Sequence, residues 1–279
     1  METVIGLGQA GCNIAEKFSQ YPQYNIYRID SEKRSGPKFK HMKPCASFEE
    51  YEASCPSFKR FFKDAKPPYL FIMGGSGTIS GASLRIMEQL NSKEIFVLYI
   101  KPDVSLLSHT KKLQERAAFN VLQEYARSAM LKRLFIISNP VLETIAENVP
   151  ITKYYDTLNE IISSTVHMIN IFSNTNPVMS TTSDPIASAR ISTIGLSDLE
   201  TNEKKLFYPL TMPREMIYYY SVDSEQLESD GTLFKKITEQ VKDNEDEKLR
   251  VSYGIYSNNY KQNYVYIVQH ASMIQEIEI

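Results

Sequence analysis

The chain has 279 residues, of which 42% are hydrophobic, and a formal net charge of −2. This length suffices for one large or two modest domains with a substantial core. The hydrophobic content and the near balance of charge exclude a disordered chain and an electrostatic nucleic-acid binder. No apolar run approaches the roughly 20 residues of a membrane-spanning helix, and the N-terminus predicts a strand instead of a secretion signal.

Cysteine and histidine usage limits the kinds of site that we expect. The three cysteines, Cys12, Cys45 and Cys55, lack metal-ligand spacing and are typical of a reducing compartment. The four histidines are scattered, so we expect neither a zinc site nor a histidine-based triad. These observations favour a cytoplasmic protein with no direct binding to nucleic acid or membrane.

The first predicted strand, Thr3–Leu7, leads into a glycine-rich segment that we call the first glycine loop, and a helix over Ile14–Ser19 follows. A strand, a tight turn and a helix N-terminus in this order suit phosphate binding. Starting from Gly6, the glycines also fit the dinucleotide spacing G-x-G-x-x-G, which alone is a weak signal. The first glycine loop consists of Gly8, Gln9, Ala10, Gly11, Cys12 and Asn13.

A second predicted strand, Asn25–Ile29, ends at Asp30. Ligands bind at the carboxyl ends of strands on open α/β sheets, so Asp30 is a candidate ligand contact. The basic loop that follows, with its lysines from Lys33 to Lys43, is interpreted as a solvated surface, with a lateral contact or a nucleotide-side loop as alternatives. Beyond it, Phe48–Ala65 alternates charged and aromatic residues and predicts a surface helix.

The most informative segment, the second glycine loop, follows the apolar strand Tyr69–Met73 and opens a helix predicted over Ala82–Leu90. Four glycines and three hydroxyl side chains in eight residues leave backbone N–H groups free to bind an anion, and the helix adds its positive end. It is not a Walker A motif, because no lysine follows the last glycine. A phosphate chain is the expected ligand, and a plain surface turn is the alternative. The second glycine loop consists of Gly74, Gly75, Ser76, Gly77, Thr78, Ile79, Ser80 and Gly81.

The remaining pattern divides the chain into two domains joined by a helix. Strands alternate with helices up to about residue 152, which predicts a parallel sheet with right-handed crossovers. A helix over 153–173 carries a continuous apolar stripe, and residues 174–279 predict a smaller α+β domain. Further predicted strands are Glu94–Ile100, Leu134–Ile137, Met216–Val222, Leu249–Tyr256 and Tyr264–His270. A helix is predicted from about Thr110 to Ser128, with Leu113, Ala117, Val121 and Leu122 at helical spacing, and Glu225–Lys242 is predicted to be mostly helix.

Together these motifs resemble the tubulin/FtsZ superfamily of polymerising GTPases over almost the whole chain. The first glycine loop is similar to the family's first phosphate loop, intermediate between GQAG or GQCG of tubulin and GAGCN of FtsZ. Gly75–Gly81 resembles the signature GGGTG[ST]G, with Ser76 and Ile79 in place of two glycines. Tyr155–Asn159 resembles the tubulin Y-x-D-L-N, although Asp156 comes one place early.

The resemblance implies a Rossmann-like GTP-binding domain over 1–152, a central linking helix over 153–173 and an activation domain over 174–279. It implies GTP or GDP between the two glycine loops, with Mg²⁺ bound through the phosphates. Arg116 would approach the sugar and phosphates, Asp30 would lie near the nucleotide, and Asn139 matches an asparagine after the family's next strand. Turn formation before Pro140 is the alternative for Asn139.

Base recognition is expected from the start of the central helix. Tyr155 and Asn159 lie four residues apart, hence on one helix face. The resemblance implies that the Tyr155 ring stacks on guanine, while the Asn159 amide, with both a donor and an acceptor, reads its polar edge. A core aromatic is the alternative for Tyr155.

The same resemblance implies that hydrolysis needs a second subunit, whose loop after the central helix docks on the γ-phosphate. Here that loop is 174–185, and Asp184 is its only acid. Aligned on the family's two acidic positions, Asp184 takes the first and Ala187 the second. One carboxylate can position water, but losing a general base typically costs about 10²–10⁴ in rate. A turn or helix-cap role before Pro185 is the alternative for Asp184.

Three functions are weighed. The first is a filament-forming GTPase that self-associates head to tail. It would position or segregate DNA or other cargo, or act in division, in a bacterial or phage-infected cell. The compact chain is similar to tubulin-like proteins of bacteriophages and plasmids. The second is a hydrolysis-deficient nucleotide-binding homologue that regulates or caps a partner filament. The third is an NAD-dependent dehydrogenase with Asp30 on the ribose.

Overall fold

The computed structural model describes residues 1–146, 149–244 and 247–276. These residues form two compact units, of which the first comprises Met1–Ser163 together with Glu276 and the second comprises Ser164–Gln275.

The first unit is built on six parallel strands in the order β3-β2-β1-β4-β5-β6. β1, β5 and β6 are buried along almost their whole length, as is typical of parallel strands covered on both faces. The predicted parallel α/β sheet is therefore confirmed. The strands are β1 (Thr3–Leu7), β2 (Asn25–Asp30), β3 (Phe39–His41), β4 (Tyr69–Gly74), β5 (Ile95–Lys101) and β6 (Arg133–Ser138).

Two of the helices of this unit, α1 and α5, begin directly at the end of a strand. α1 starts at Gly8, not at Ile14 as predicted, so the first glycine loop is the beginning of the helix itself. Gly8 makes the sharp entry possible because its φ of +70° lies in the left-handed region that favours glycine. The helices are α1 (Gly8–Lys17), α2 (Phe48–Ala53), α3 (Ser83–Gln89), α4 (His109–Arg127) and α5 (Asn139–Ile145).

The surface helix predicted over Phe48–Ala65 is wrong beyond its first turns. α2 ends at Ala53, and the aromatic residues that follow enter the core: Phe58 and Phe62 are buried. Phe62 packs edge-on against Tyr27 of β2 at a centroid distance of 5.5 Å. Pro56 explains the early end, since the residue before a proline is disfavoured in helical geometry.

The apolar residues that lie at helical spacing in α4 match its buried face only in part. Leu113 and Val121 are exposed, whereas Ala118, Phe119, Leu122 and Ala126 are buried. Glu115 lies in the buried face because Tyr99 and Lys101 satisfy one of its oxygens. A pattern that counts only apolar residues cannot anticipate a buried carboxylate with partners from another strand.

The helix α6 (Tyr154–Phe172) begins in the first unit and ends in the second. Its predicted apolar stripe is confirmed at Leu158, Ile162, Val166, Ile169 and Phe172, which are buried.

The second unit is a mixed sheet in the order β8-β12-β10-β11-β7, with β9 beside β8. Of these pairs only β10 and β11 are parallel, consistent with the helix α8 that connects them. Leu233, Ile237 and Val241 of α8 belong to the same core cluster as Tyr218 and Tyr220. β8 and β9 were not predicted. The elements are β7 (Met179–Ser180), β8 (Ile191–Ser197), β9 (Lys204–Leu206), β10 (Glu215–Asp223), β11 (Arg250–Asn258), β12 (Tyr264–Ala271), α7 (Ser224–Ser229) and α8 (Leu233–Lys242).

Candidate functional site

Both glycine loops lie at the point where the strand order of the first unit reverses. β1 and β4 are neighbours, with Leu7 opposite Met73, while β2 lies beyond β1 and β5 lies beyond β4. The crevice outside the carboxyl ends of two such strands is where open α/β sheets bind ligands. The first glycine loop follows β1 and the second glycine loop begins at the end of β4, so the two meet at this crevice.

The two loops are in direct contact. A Cβ atom on Gly8 would lie 2.8 Å from Cγ2 of Ile79, and one on Gly74 would lie 3.4 Å from Cβ of Ala10. Ile79, which replaces a glycine of the family signature, is buried against the first glycine loop. The Ser80 hydroxyl donates to the Gly74 carbonyl at 2.6 Å and braces the second glycine loop from within. Ile79 and Ser80 therefore shape the concave surface formed by the two glycine loops, which we call the cradle.

The exposed side of the cradle carries unsatisfied donors. No side chain caps the N-terminus of α1, and its first turn contains no acid, so its N–H groups are available to an anion. The N–H groups of Ser76 and Gly77 donate to no acceptor within the described ranges. The positive end of the α1 dipole adds to this preference for negative charge. The geometry fits a phosphate chain.

A buried polar network supports the second glycine loop from below. The Tyr99 hydroxyl donates to Oε1 of Glu115 at 3.0 Å, and Nζ of Lys101 lies 3.4 Å from the same oxygen. A Cβ atom on Gly75 would be 2.1 Å from the Tyr99 hydroxyl, so only glycine fits at this position. Burial and the Glu115 carboxylate raise the pKa of Tyr99 well above its usual value, and the phenol stays protonated and keeps donating.

A cavity of about 570 Å³ extends from the first glycine loop along one face of α1. This volume lies within the range of small-molecule sites. Tyr155 and Asn159, the pair expected to bind a base, both line it, and the Tyr155 ring is 69% exposed. The ring is supported edge-on by Tyr154 at 5.1 Å. The lining residues are Asn13, Glu16, Lys17, Ser19, Gln20, Arg28, Arg34, Tyr155, Asp156, Asn159 and Glu160.

The structure gives Asp30 a supporting position and brings Arg34 into the cavity. Asp30 is 3% exposed, and its carboxylate accepts from the Ser31 N–H at 2.8 Å and from Nε of Arg34 at 2.9 Å. Nη1 of Arg34 donates to Oδ1 of Asn13 at 2.6 Å. Asp30 thus orients Arg34, and it is Arg34 that lines the cavity. Interpreting the basic loop as a solvated surface is wrong at Arg34, whose guanidinium is held by Asp30 and Asn13. The segment after Asp30 is not helical, so the spacing of Asp30 and Arg34 in the sequence gave no signal of this contact.

Sequence analysis also missed the face of α1 that borders the cavity. Asn13, Lys17 and Gln20 are spaced so that they share one helix face. The predicted helix begins at Ile14, whereas the observed helix begins at Gly8 and includes Asn13. Nζ of Lys17 pairs with Asp156 at 2.6 Å, and its hydrogen bond to that carboxylate raises the pKa of Lys17. The displaced acid of the Y-x-D-L-N resemblance therefore links α1 to α6.

Arg116 and Asn139 are not brought into this cavity by the described chain. Arg116 is exposed on α4, and Asn139 is the half-buried first residue of α5, directly after β6. Their nucleotide contacts remain predictions.

Asp184 lies in the second unit on an exposed segment. No helix starts at Pro185 in the described structure, so the helix-cap alternative does not apply. The backbone carbonyl of Asp184 accepts from Nη2 of Arg250 at 2.8 Å. Its carboxylate has no partner among the described residues and is available to an external group.

Cys12 is shielded although it belongs to the first glycine loop. It is fully buried, its Sγ lies 3.4 Å from the carbonyl oxygens of Gly6 and Ile29, and burial together with the Asp30 charge raises its pKa to about 12. We expect iodoacetamide at about pH 8 to modify Cys45 and Cys55 but not Cys12, because only about one thiol in ten thousand with that pKa is ionised there. Mass spectrometry of the native protein should show two modified thiols, and the denatured protein should show three. Modification of Cys12 at the rate of Cys45 in the folded protein would contradict this.

Among the described residues, no helix is long and apolar enough to cross a membrane. Within the same ranges, no three histidine, cysteine, aspartate or glutamate residues are grouped to hold a metal ion.

Solved structures of low sequence identity share the fold. They include CetZ2 from Haloferax volcanii as a GTPγS-bound protofilament (TM-score 0.72, 14% identity, 97% of this chain and 92% of that chain). An empty FtsZ dimer from M. jannaschii matches with a TM-score of 0.69 and 13% identity over 96% of this chain and 87% of that one. A GTPγS-form protofilament of TubZ from Bacillus thuringiensis serovar israelensis matches with a TM-score of 0.68 and 14% identity over 98% of this chain and 86% of that one.

No protein-family profile matches the sequence, and no curated protein is significantly similar to it. The strand order and the paired glycine loops define an α/β fold with a crevice at the carboxyl ends of β1 and β4. More narrowly, the fold is that of the tubulin/FtsZ superfamily.

Proposed function

We propose that this protein binds GTP between its two glycine loops, polymerises head to tail and hydrolyses GTP where a second copy presents Asp184. The observation that carries the proposal is the meeting of both glycine loops at the β1–β4 crevice, beside a cavity lined by Tyr155 and Asn159. The nucleotide-bound protofilaments among the structural neighbours support it. In this proposal, residues 1–152 form the GTP-binding domain and residues 153–173 form the helix that links it to the second domain. Residues 174–279 form the domain that activates hydrolysis in a neighbouring copy.

Each group has a defined task in this mechanism. The N–H groups at the start of α1 and in the second glycine loop bind phosphate oxygens. Mg²⁺ would be held by the phosphate groups of GTP. The Tyr155 ring covers the base and the Asn159 amide reads its edge. Asp184 from the second copy orients one attacking water and accepts its proton, while the docked copy excludes the rest of the solvent. The water oxygen bonds to the γ-phosphorus as the bond from that phosphorus to the β,γ-bridging oxygen breaks, which leaves GDP and phosphate.

The second candidate is a nucleotide-binding homologue that does not hydrolyse GTP. The observation in its favour is that Asp184 is the only acid between residues 174 and 187. Ile79 adds little to it, because its side chain packs on Gly8 instead of filling the exposed side of the cradle. The dehydrogenase alternative loses its main support, since Asp30 is buried and occupied by Arg34.

The decisive experiment is phosphate release from GTP measured against protein concentration, with electron microscopy of the same samples in GTPγS. The proposal predicts a rate per subunit that rises above a threshold concentration, together with filaments. A flat, negligible rate with intact GTP still bound would support the second candidate. Absence of both filaments and nucleotide binding would overturn both.

Nucleotide binding should depend on Arg34. Replacing Arg34 with methionine is expected to weaken GDP binding at least about 10-fold, because a charge-assisted hydrogen bond is worth roughly 1.5–3 kcal/mol. Lys40→Met is the matched control: it removes a cation from the same segment, but Lys40 is exposed on β3 and does not line the cavity. Titration of a fluorescent GDP analogue measures both. Equal affinities for the two variants would show that Arg34 does not contact the nucleotide.

A further inference from the structure

The segment before Asp184 is attached to the sheet of the second unit instead of forming a free loop. The Val178 N–H donates to the Ile255 carbonyl at 2.7 Å, and the Thr181 N–H donates to the Tyr253 carbonyl at 2.9 Å. The Thr181 hydroxyl in turn accepts from the Tyr253 N–H at 3.1 Å. Between these bonds lies β7, paired with β11. A polar stretch predicted as a loop is therefore an edge strand over part of its length.

The segment around Asp184 is fixed by an ion pair at the start of β10 and β11. Glu215 and Arg250 are directly opposite each other in the parallel pair, and their side chains form a salt bridge through Oε1 and Nη2. Oε2 of Glu215 accepts from the Ile186 N–H at 3.0 Å. Nη2 of Arg250 also donates to the Asp184 carbonyl at 2.8 Å. The backbone is thus held at Asp184 and again two residues later.

The burial of Glu215 explains why this arrangement is firm. Its side chain is 1% exposed, and a buried carboxylate without partners is costly. Both of its oxygens are satisfied, one by Arg250 and one by the Ile186 N–H of the segment, so moving the segment away would leave one buried carboxylate oxygen without a hydrogen bond. The Asp184 carboxylate takes no part in these bonds. The backbone is fixed while the reactive group remains free.

We propose that Glu215 and Arg250 are positioning residues that hold Asp184 at the place from which it acts on the nucleotide of a neighbouring copy. This inference rests on the proposed function and adds the residues that pre-organise its catalytic carboxylate. Orientation contributes strongly to such reactions, since a misplacement of about 1 Å can cost on the order of 10²-fold. The pair therefore acts on the turnover step, whereas nucleotide affinity depends on residues of the first unit.

The test compares Glu215→Gln and Arg250→Met with Glu239→Gln. Glu239 is a matched control, because it pairs with Lys235 at 3.6 Å on the exposed face of α8, in the same unit but outside the segment. We expect kcat for GTP above the threshold concentration to fall about 10-fold in the first two variants. GDP affinity and the threshold concentration should stay within about twofold of wild type, and the control should be unchanged. Glu215→Gln is the variant expected to fold in any case, because it removes the buried charge, keeps the size of the side chain, and leaves the 39%-exposed Arg250 side chain in contact with solvent.

A double-mutant cycle separates positioning from general stability. If Glu215 and Arg250 act through Asp184, neither substitution lowers kcat further in an Asp184→Ala background. Additive losses in that background would overturn the inference. Wild-type kcat in Glu215→Gln and Arg250→Met, with turnover lost in Asp184→Ala, would overturn it as well and leave the proposed function standing. Full turnover in Asp184→Ala would overturn the catalytic assignment itself.

Discussion

Replacing Asp184 with alanine should reduce the GTP turnover rate per subunit by about 10²–10⁴-fold, the usual loss when a general base is removed. The effect should approach the whole polymer-activated rate, because no second acid lies nearby in sequence up to Ala187. Phosphate release above the threshold concentration measures it. Nucleotide affinity should not change, since the cavity and both glycine loops are built from residues of the first unit.

The control for this variant is Glu228→Ala, which removes an exposed acid on α7 of the same unit. It should retain the wild-type rate and threshold. Filaments of Asp184→Ala should persist longer in GTP than those of wild type, because their nucleotide is not consumed. Rapid turnover by Asp184→Ala would mean that the attacking water is activated by another group and that the alignment of this segment on the family pattern is wrong.

The parts of the site that follow from local chain chemistry could be predicted from the sequence. β1 and β4 are apolar runs that end in glycine clusters, and the strand-to-helix transitions after them require few long-range contacts. Tyr155 and Asn159 share a helix face by spacing alone. These elements were predicted, and the structure places Asn13 of the first glycine loop, Tyr155 and Asn159 around one cavity.

The parts that depend on contacts between distant segments could not be predicted. Arg34 reaches the cavity because Asp30 and Asn13 fix its guanidinium, and only the fold brings Asn13 to it. The burial of Glu115 depends on Tyr99 and Lys101 of β5, so the apolar spacing of α4 did not reveal which face of the helix is buried. Polar residues with tertiary partners look like surface residues in a sequence. Periodicity therefore locates most of the long helices and strands, but it assigns polar residues with tertiary partners to the solvent-facing side.

The glycines of the two loops should give opposite results when each is replaced with alanine. A Cβ atom on Gly11 would lie 2.3 Å from the carbonyl oxygen of Ile72, a backbone atom of the central strand β4 that cannot move aside. We expect Gly11→Ala to lower the free energy of unfolding by about 3 kcal/mol or more. Gly77 has a φ of −77°, and its nearest neighbour would be 3.6 Å away, so Gly77→Ala should leave that free energy within about 1 kcal/mol of wild type.

Gly77→Ala should therefore weaken GDP binding without lowering the free energy of unfolding. Gly77 is exposed on the side of the cradle proposed to receive phosphates, where an added methyl group keeps the ligand from the backbone N–H groups. Urea unfolding and GDP titration on the same preparations measure the two quantities. Weaker GDP binding with unchanged stability would locate the phosphates at the second glycine loop. Unchanged GDP binding in this stable variant would mean that the first glycine loop alone holds the phosphates, whereas normal stability in Gly11→Ala would contradict the close approach of α1 to β4.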